Sequence, residues 1–101
     1  MSIQRGSTPV HIFKTSADLT DADVIFITYQ QAGRTIIEKD KSDCQVSKEQ
    51  IQVMLTQEET LLLKHSYGVS IQVRARFNDG TAIVSNIIHT DVGTLLKNGV
   101  I

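Results

Sequence analysis

The chain has 101 residues, and its 41% hydrophobic and 21% charged residues are typical of one folded globular domain rather than of a disordered segment. A formal net charge of −1 gives no general attraction to nucleic acid or to an anionic membrane, and no apolar run approaches membrane-spanning length. Cys44 is the only cysteine, which excludes an internal disulfide, and the first residues lack the apolar segment of a secretory signal. We therefore expect a single domain over residues 1–101 that is made and folded in a reducing cytosol.

The first half of the sequence alternates short apolar runs with polar turns. Residues 1–8 are interpreted as a polar lead-in. Strands are predicted at residues 9–14, 22–30, 34–40, 44–46 and 50–56. Pro9 opens the first of these strands, where a sheet tolerates a missing backbone donor. The segments between the strands contain the Asp, Ser, Thr and Gly residues that favour turns.

The predicted strand over residues 22–30 lacks a strongly polar face. If Val24, Phe26 and Thr28 point into the core, the residues between them form an apolar outer row. An exposed row of that kind usually marks a protein contact, although a loop or the C-terminal tail over residues 93–101 is an alternative cover. The tail also has apolar residues that are candidates for reaching a neighbouring subunit. The predicted interface residues are Ile25, Ile27, Tyr29, Leu95, Leu96 and Ile101.

A capping-box pattern predicts a short helix after the strand at residues 50–56. Thr56 is followed three residues later by Glu59, so that each side chain can accept a hydrogen bond from the backbone of the other. The leucine-rich residues 60–64 follow, and we interpret the segment as about one or two helical turns, with a polar loop as the alternative. Glu58 and Glu59 fall at the helix start, where acidic side chains are favoured, so capping explains them better than acid–base catalysis does.

The second half of the chain is dominated by a predicted β-hairpin. Between Tyr67 and Phe77, apolar residues alternate with Ser, Gln and Arg, which indicates one buried face and one wet face. Asn78-Asp79-Gly80 supplies a turn, and residues 81–89 run back along the first strand. Arg74 and Arg76 belong to the wet face, and without stacking aromatic residues they are weak evidence for nucleic-acid binding.

The register of this hairpin has two alternatives, because a slip of one residue exchanges the two faces. In a two-residue turn Phe77 faces Ala82, whereas in a three-residue loop it faces Thr81. We favour the three-residue loop, since Asn and Asp suit a type I turn and Gly80 suits the left-handed position after it. The inward residues of the return strand are then Ile83, Ser85 and Ile87 rather than Val84, Asn86 and Ile88.

Short strands separated by frequent turns, with at most one short helix, are typical of an antiparallel sandwich. We predict an all-β fold, an immunoglobulin-like antiparallel β-sandwich of about seven strands with one short helix. The predicted helix precedes Tyr67, at the place where such sandwiches cross between sheets. Tyr67 is therefore interpreted either as a tyrosine corner or as a plain boundary residue.

No constellation of residues predicts catalysis, a metal site or a cofactor site. His11, His65 and His89 are far apart in the sequence, and none stands at ligand spacing from a Cys, Asp or Glu. Each histidine is interpreted as a strand-surface or boundary residue. Cys44 is interpreted as a buried small hydrophobe. We therefore predict that the protein is not an enzyme and needs no cofactor.

Three stretches of the sequence carry a resemblance to a known family. They are DLTDADVIFI at residues 18–27, the segment at residues 50–63 with its LTQEET run, and the tyrosine strand with its NDGT turn at residues 67–81. Within a matched region of about residues 8–92, they resemble the small immunoglobulin-like domain at the N-terminus of phage baseplate upper proteins. Related tail-associated domains are encoded by prophages of Gram-positive bacteria. The family's usual Asp-Gly loop after the second strand is replaced here by Gln31-Ala32-Gly33-Arg34.

The resemblance implies a structural virion protein, a tail or baseplate component that acts by protein–protein assembly. It implies other phage structural proteins and a second copy of the chain as partners, and neither nucleic acid nor membrane. It also implies a location in the virion after synthesis in a bacterial cytoplasm without a signal peptide. The alternative is an immunoglobulin-like binding module of a bacterial surface or carbohydrate-recognising protein. That alternative predicts aromatic platforms on loops, and the chain has no Trp.

Overall fold

The computed structural model describes residues 2–101. The strands are β1 (Ser2–Gln4), β2 (Val10–Lys14), β3 (Val24–Gln31), β4 (Arg34–Asp40), β5 (Cys44–Val46), β6 (Gln50–Met54), β7 (Val69–Arg76), β8 (Ala82–Val84) and β9 (Ile88–Gly93). The helix α1 covers Gln57–Leu61, and a single 3-10 turn covers Lys41–Asp43. Most of the predicted strands are therefore present, with ends that differ by a few residues.

The strands form two sheets that share one hydrophobic core. The larger sheet has the order β1, β9, β7, β3 and β4, with β8 also paired to β7. The smaller sheet has the order β2, β6 and β5. Neighbouring strands are antiparallel except for β1 and β9, which run parallel.

This strand order is that of an immunoglobulin-like sandwich. The strands β9, β7, β3 and β4 occupy the positions of G, F, C and C′ in a variable-type domain, and β2, β6 and β5 occupy those of B, E and D. The helix α1 lies in the crossover from E to F. The structure confirms the predicted all-β, immunoglobulin-like fold class.

The prediction that Ile25, Ile27 and Tyr29 form an exposed row is wrong. All three side chains are 0% exposed and belong to the core, whereas Phe26 between them is 40% exposed. The pairing with β7 explains the orientation, because residues opposite each other in a sheet share a face. Phe26 lies opposite Arg74, and the exposed arginine places both side chains on the outer face.

The hairpin after β7 has the favoured three-residue loop. Phe77 N–H donates to the Thr81 carbonyl at 2.9 Å, and Gly80 has φ +90°. Ile83 is half-buried on the inner side, as this register predicts. The prediction for Ile87 is wrong, because that side chain is 54% exposed. An extra residue in the return strand changes which of the following side chains point inward, as described below.

The N-terminal residues are part of the fold, contrary to the predicted polar lead-in. Ser2–Gln4 forms β1 and pairs with β9 from Asp91 to Gly93. Ile3 at its centre is 0% exposed. A strand of this length shows no recognisable alternation, so the sequence carried no signal for it.

The predicted capping box is confirmed. Thr56 Oγ1 accepts a hydrogen bond from Glu59 N–H at 3.2 Å, and Glu59 Oε1 accepts one from Thr56 N–H at 2.9 Å. Glu59 also forms an ion pair with Lys39 of β4, with Nζ and Oε1 2.6 Å apart. The helix is therefore fixed to the larger sheet as well as capped.

Tyr67 is a boundary residue rather than a tyrosine corner, since its side chain is 48% exposed. The crossover is anchored instead by Gln31, which is 4% exposed at the end of β3. Its Nε2 donates to the carbonyls of Lys64 at 2.7 Å and Tyr67 at 3.1 Å, and its Oε1 accepts from Lys64 N–H at 2.9 Å. An amide that makes three such bonds satisfies most of its own polar atoms and holds the loop in place.

Candidate protein-binding cleft

Within residues 2–101 the strand β2 pairs only with β6, so it lies at a free edge of the smaller sheet. On that side, the Pro9 carbonyl accepts from Leu55 N–H at 3.0 Å, and Thr15 N–H donates to the Glu49 carbonyl at 2.8 Å. In an antiparallel pair, alternate residues bond the neighbouring strand and the residues between them face the other way. The remaining backbone groups of β2 that face away from β6 therefore belong to Val10, Ile12 and Lys14.

This edge is less protected than the other sheet edges. Exposed edge strands are usually short or charged, because unpaired backbone groups recruit other chains. β1 and β5 have three residues each, and β4 carries four charged residues among its seven. β2 has five residues, and Val10 and Ile12 are 49% and 54% exposed. Only Lys14 gives this edge a charge.

A bulge in the return strand opens the sandwich opposite this edge. Val84 of β8 pairs with Arg74, and Ile88 of β9 pairs with Ile71. The three residues 85–87 therefore lie opposite only two residues of β7. The return strand has one extra residue there, as in a β-bulge. Ser85 fixes the bulge, because its N–H donates to the Val73 carbonyl at 2.9 Å and its Oγ accepts from Val73 N–H at 3.0 Å.

A cleft of about 570 Å³ lies between β2 and the bulged strand. Its volume falls within the range of small-ligand and peptide pockets. Polar residues also contribute to its wall, among them Thr15, Ser85 and Asn86. The apolar part of the lining includes Phe13, Leu19, Val73, Ala75, Ile83 and Ile88.

A buried polar pair supports β2 from inside the core. His11 is 5% exposed, and its Nδ1 lies 2.7 Å from the Tyr29 hydroxyl. The two rings are stacked with centroids 5.7 Å apart. Burial lowers the pKa of His11 and raises the pKa of Tyr29, so both groups stay neutral near pH 7. The prediction that each histidine lies at a surface or boundary is therefore wrong for His11.

The tail residues of the predicted interface differ in their surroundings. Leu95 is half-buried and lies beside Gly6 of the same chain. Leu96 and Ile101 are 103% and 94% exposed, so both remain available for a contact that the structure does not test. The backbone of Ile101 is held by Gln57, whose amide accepts from Ile101 N–H at 2.9 Å and donates to its carbonyl at 3.3 Å.

Cys44 is half-buried, and its Sγ donates to the Asp40 carbonyl at 3.2 Å. Burial and the nearby Asp43 carboxylate raise the pKa of this thiol to about 11, so it is protonated at neutral pH and is a weak nucleophile. Among residues 2–101, no group of three or more His, Cys, Asp or Glu side chains is placed to hold a metal ion. In the same part of the chain, no helix is long and apolar enough to cross a membrane.

The sequence did not predict the cleft, because its walls come from strands that are distant in the chain. A partial signal was present at β2, where Val10 and Ile12 are the outward residues of a strand beginning at a proline. The bulge had no signal, since the alternation of β8 and that of β9 each look regular when read separately.

No protein-family model matches the chain, and no curated protein sequence matches it significantly. Among solved structures, the V domain of amphioxus IgVJ-C2 aligns with 93% of this chain and with 100% of its own length. The aligned residues are 15% identical, and the TM-score is 0.39. The immunoglobulin-like assignment rests on the strand order described above.

Proposed function

We propose that this protein is a non-catalytic module for protein–protein assembly that binds an extended segment of a partner along the free edge of β2. The observation that carries the proposal is an unpaired strand edge directly beside an apolar cleft. An added strand bonds the backbone groups of Val10, Ile12 and Lys14. Its side chains alternate, so that every second one points into the cleft and the others continue the outer face of the smaller sheet.

The cleft is needed for useful affinity. A backbone hydrogen bond contributes only about 0.5–1.5 kcal/mol net, and ordering a flexible segment costs a comparable amount per residue. Burying an aliphatic side chain contributes about 1.5–3 kcal/mol. Specificity therefore comes from the apolar side chains that enter the cleft, while the edge of β2 sets their spacing.

A selection of random displayed peptides against the immobilised protein tests this proposal. We expect the bound peptides to have apolar residues at alternate positions, and the binding to be lost in Ile12→Pro. Proline removes the edge donor at position 12, and an edge strand tolerates it because that N–H faces away from β6. Ile12→Thr is the matched control, since it shortens the same side chain but keeps the donor.

The proposal fails if the selected peptides bind Ile12→Pro as well as they bind the unaltered protein. It also fails if they show no alternation of apolar residues. The thermal unfolding of both variants is measured alongside, so that a loss of fold is not mistaken for a loss of binding.

We further propose a specific setting for this module, as a structural component of a phage or prophage tail or baseplate. The support for it is the resemblance of residues 18–27, 50–63 and 67–81 to baseplate domains. Strand addition suits such a particle, because backbone pairing joins subunits without any chemical step.

Sedimentation of particles from a prophage-induced culture of the source organism tests the phage setting. We expect an antibody against the chain to detect it in fractions that contain assembled tails. Its absence from those fractions, together with its presence in the soluble fraction, would contradict the phage setting and leave the strand-addition proposal standing.

A further inference from the structure

The outer face of the larger sheet has a charge pattern that is complementary to itself. Register places Asp40 of β4, Phe26 of β3 and Arg74 of β7 in one row across the sheet. The next outward row holds Glu38, Thr28 and Gln72. Acidic side chains therefore lie on one side of β3, and basic side chains lie on the other.

The charges of this face have no opposite partner within the described chain. The ion pair that residues 2–101 contain joins Lys39 and Glu59, which leaves Arg74, Arg76 and Glu38 without one. Asp40 accepts two hydrogen bonds from Ser42, and both use Oδ1. The face can therefore form new ion pairs without breaking existing ones.

The row that contains Arg74 also presents two exposed apolar side chains. Phe26 is 40% exposed on β3, and Val84, in the same row as Arg74, is 52% exposed. Aromatic residues and arginine are enriched in protein interfaces, and this row presents one of each. The carboxylates of β4 make the face unfavourable for a polyanion such as nucleic acid.

The equal spacing of the strands makes this charge pattern complementary to that of a second copy. Neighbouring strands are about 4.8 Å apart, so β4 and β7 lie at equal distances on opposite sides of β3. A two-fold axis along β3, in the plane between two facing sheets, exchanges these positions. It brings β4 of each copy over β7 of the other and brings the two Phe26 rings together.

We propose that the outer face of the larger sheet binds a second copy of this chain about a two-fold axis along β3. Asp40 of each copy then pairs with Arg74 of the other, on either side of a centre formed by the two Phe26 rings. This surface is separate from the β2 edge, so the inference does not depend on the proposed strand addition. It leaves both β2 edges free.

Sedimentation equilibrium of the full chain from micromolar to millimolar concentration tests the inference. We expect a monomer–dimer equilibrium, with the dissociation constant raised at least tenfold in Phe26→Ser and in Arg74→Glu. Ile12→Ser is the matched control, because Ile12 has similar exposure on the smaller sheet and its replacement leaves this dimer unchanged. Circular dichroism establishes that each variant is folded.

A mixing experiment tests the charge pairing independently of stability. Arg74→Glu and Asp40→Arg each place like charges opposite each other in a homodimer, so each variant alone is expected to be monomeric. Mixed together, they restore opposite charges at both ends of the interface and are expected to form a heterodimer. The inference is overturned if the unaltered protein stays monomeric at millimolar concentration, if the mixture stays monomeric, or if Ile12→Ser rather than Phe26→Ser abolishes the dimer.

Discussion

At the scale of single residues, buried polar pairs fix the two sheets and the helix relative to one another. His11 and Tyr29 join the two sheets through a hydrogen bond inside the core. Lys39 and Glu59 join β4 to α1, with side chains 10% and 24% exposed. A buried polar group costs free energy unless it is paired, so each pair favours this one arrangement of sheets and helix.

Protonation of His11 makes the stability depend on pH. Burial lowers the pKa of His11 from its ordinary value of 6.5 in the folded protein. As the pH falls through 6.5, the histidine takes up a proton in the unfolded chain but not in the folded protein. The free energy of unfolding therefore falls. We expect the free energy of unfolding to decrease steadily as the pH is lowered below about 6.5, measured by denaturant unfolding at a series of pH values.

His11→Gln should remove this dependence, since glutamine keeps a polar partner for Tyr29 but does not titrate. His65→Gln is the control, because His65 is exposed, and it should leave the slope unchanged. Equal slopes in the unaltered protein and in His11→Gln would show that His11 is not the source.

Replacing Glu59 tests the link between the helix and the larger sheet. Glu59→Ala removes an acceptor of the capping box and leaves the buried Lys39 without its ion pair. We expect the free energy of unfolding to fall by about 2 kcal/mol, which is below the cost of breaking a fully buried pair because Glu59 is partly exposed. Chemical denaturation measures the change.

Glu58→Ala is the matched control, since Glu58 is exposed on the same helix and has no side-chain bond within the described residues. It should change stability by less than about 0.5 kcal/mol. Equal effects of the two substitutions would mean that the ion pair contributes nothing.

At the scale of elements, turn chemistry determines the hairpins. The loop that joins β7 to β8 was predictable, because Asn78-Asp79-Gly80 has the residue types that its backbone requires. The loop that joins β3 to β4 uses two residues with positive φ, Ala32 at +50° and Gly33 at +76°. A positive φ at both loop positions defines a type I′ turn, and alanine is unfavourable at the first of these positions.

Ala32→Asn is therefore expected to stabilise the protein by about 0.5–1 kcal/mol, because asparagine tolerates the left-handed conformation better than alanine does. Thermal unfolding measures the gain. Ala82→Asn, at an exposed and extended position of β8, should instead be neutral or slightly destabilising. A lower melting temperature for Ala32→Asn would show that the turn does not have this conformation in solution.

The strands differ in how well their orientation could be predicted from the sequence. Alternation in β7 was strong because one side of the strand carries Gln72, Arg74 and Arg76, and it predicted the buried side correctly. β3 has apolar residues on both sides, so its inward side was decided only by pairing with β7. β1 and the bulge at residues 85–87 depend on partners that no local pattern specifies.

At the scale of the whole molecule, the two sheets present different surfaces. The larger sheet has a charged outer face with Phe26 near its centre, and the smaller sheet has the unpaired edge of β2. The two surfaces point in different directions, so an assembly that uses both can extend beyond a dimer. The cleft and the free edge could not be predicted from the sequence, because they arise where strands that are distant in the chain come together.

The most direct test of the account is residue-resolved amide hydrogen exchange of β2 by NMR, at a concentration where the protein is free of any partner. The amides of His11 and Phe13, which face β6, should exchange slowly, whereas those of Val10, Ile12 and Lys14 should exchange rapidly. Slow exchange of all five amides would mean that the edge is already covered, and it would contradict strand addition at β2.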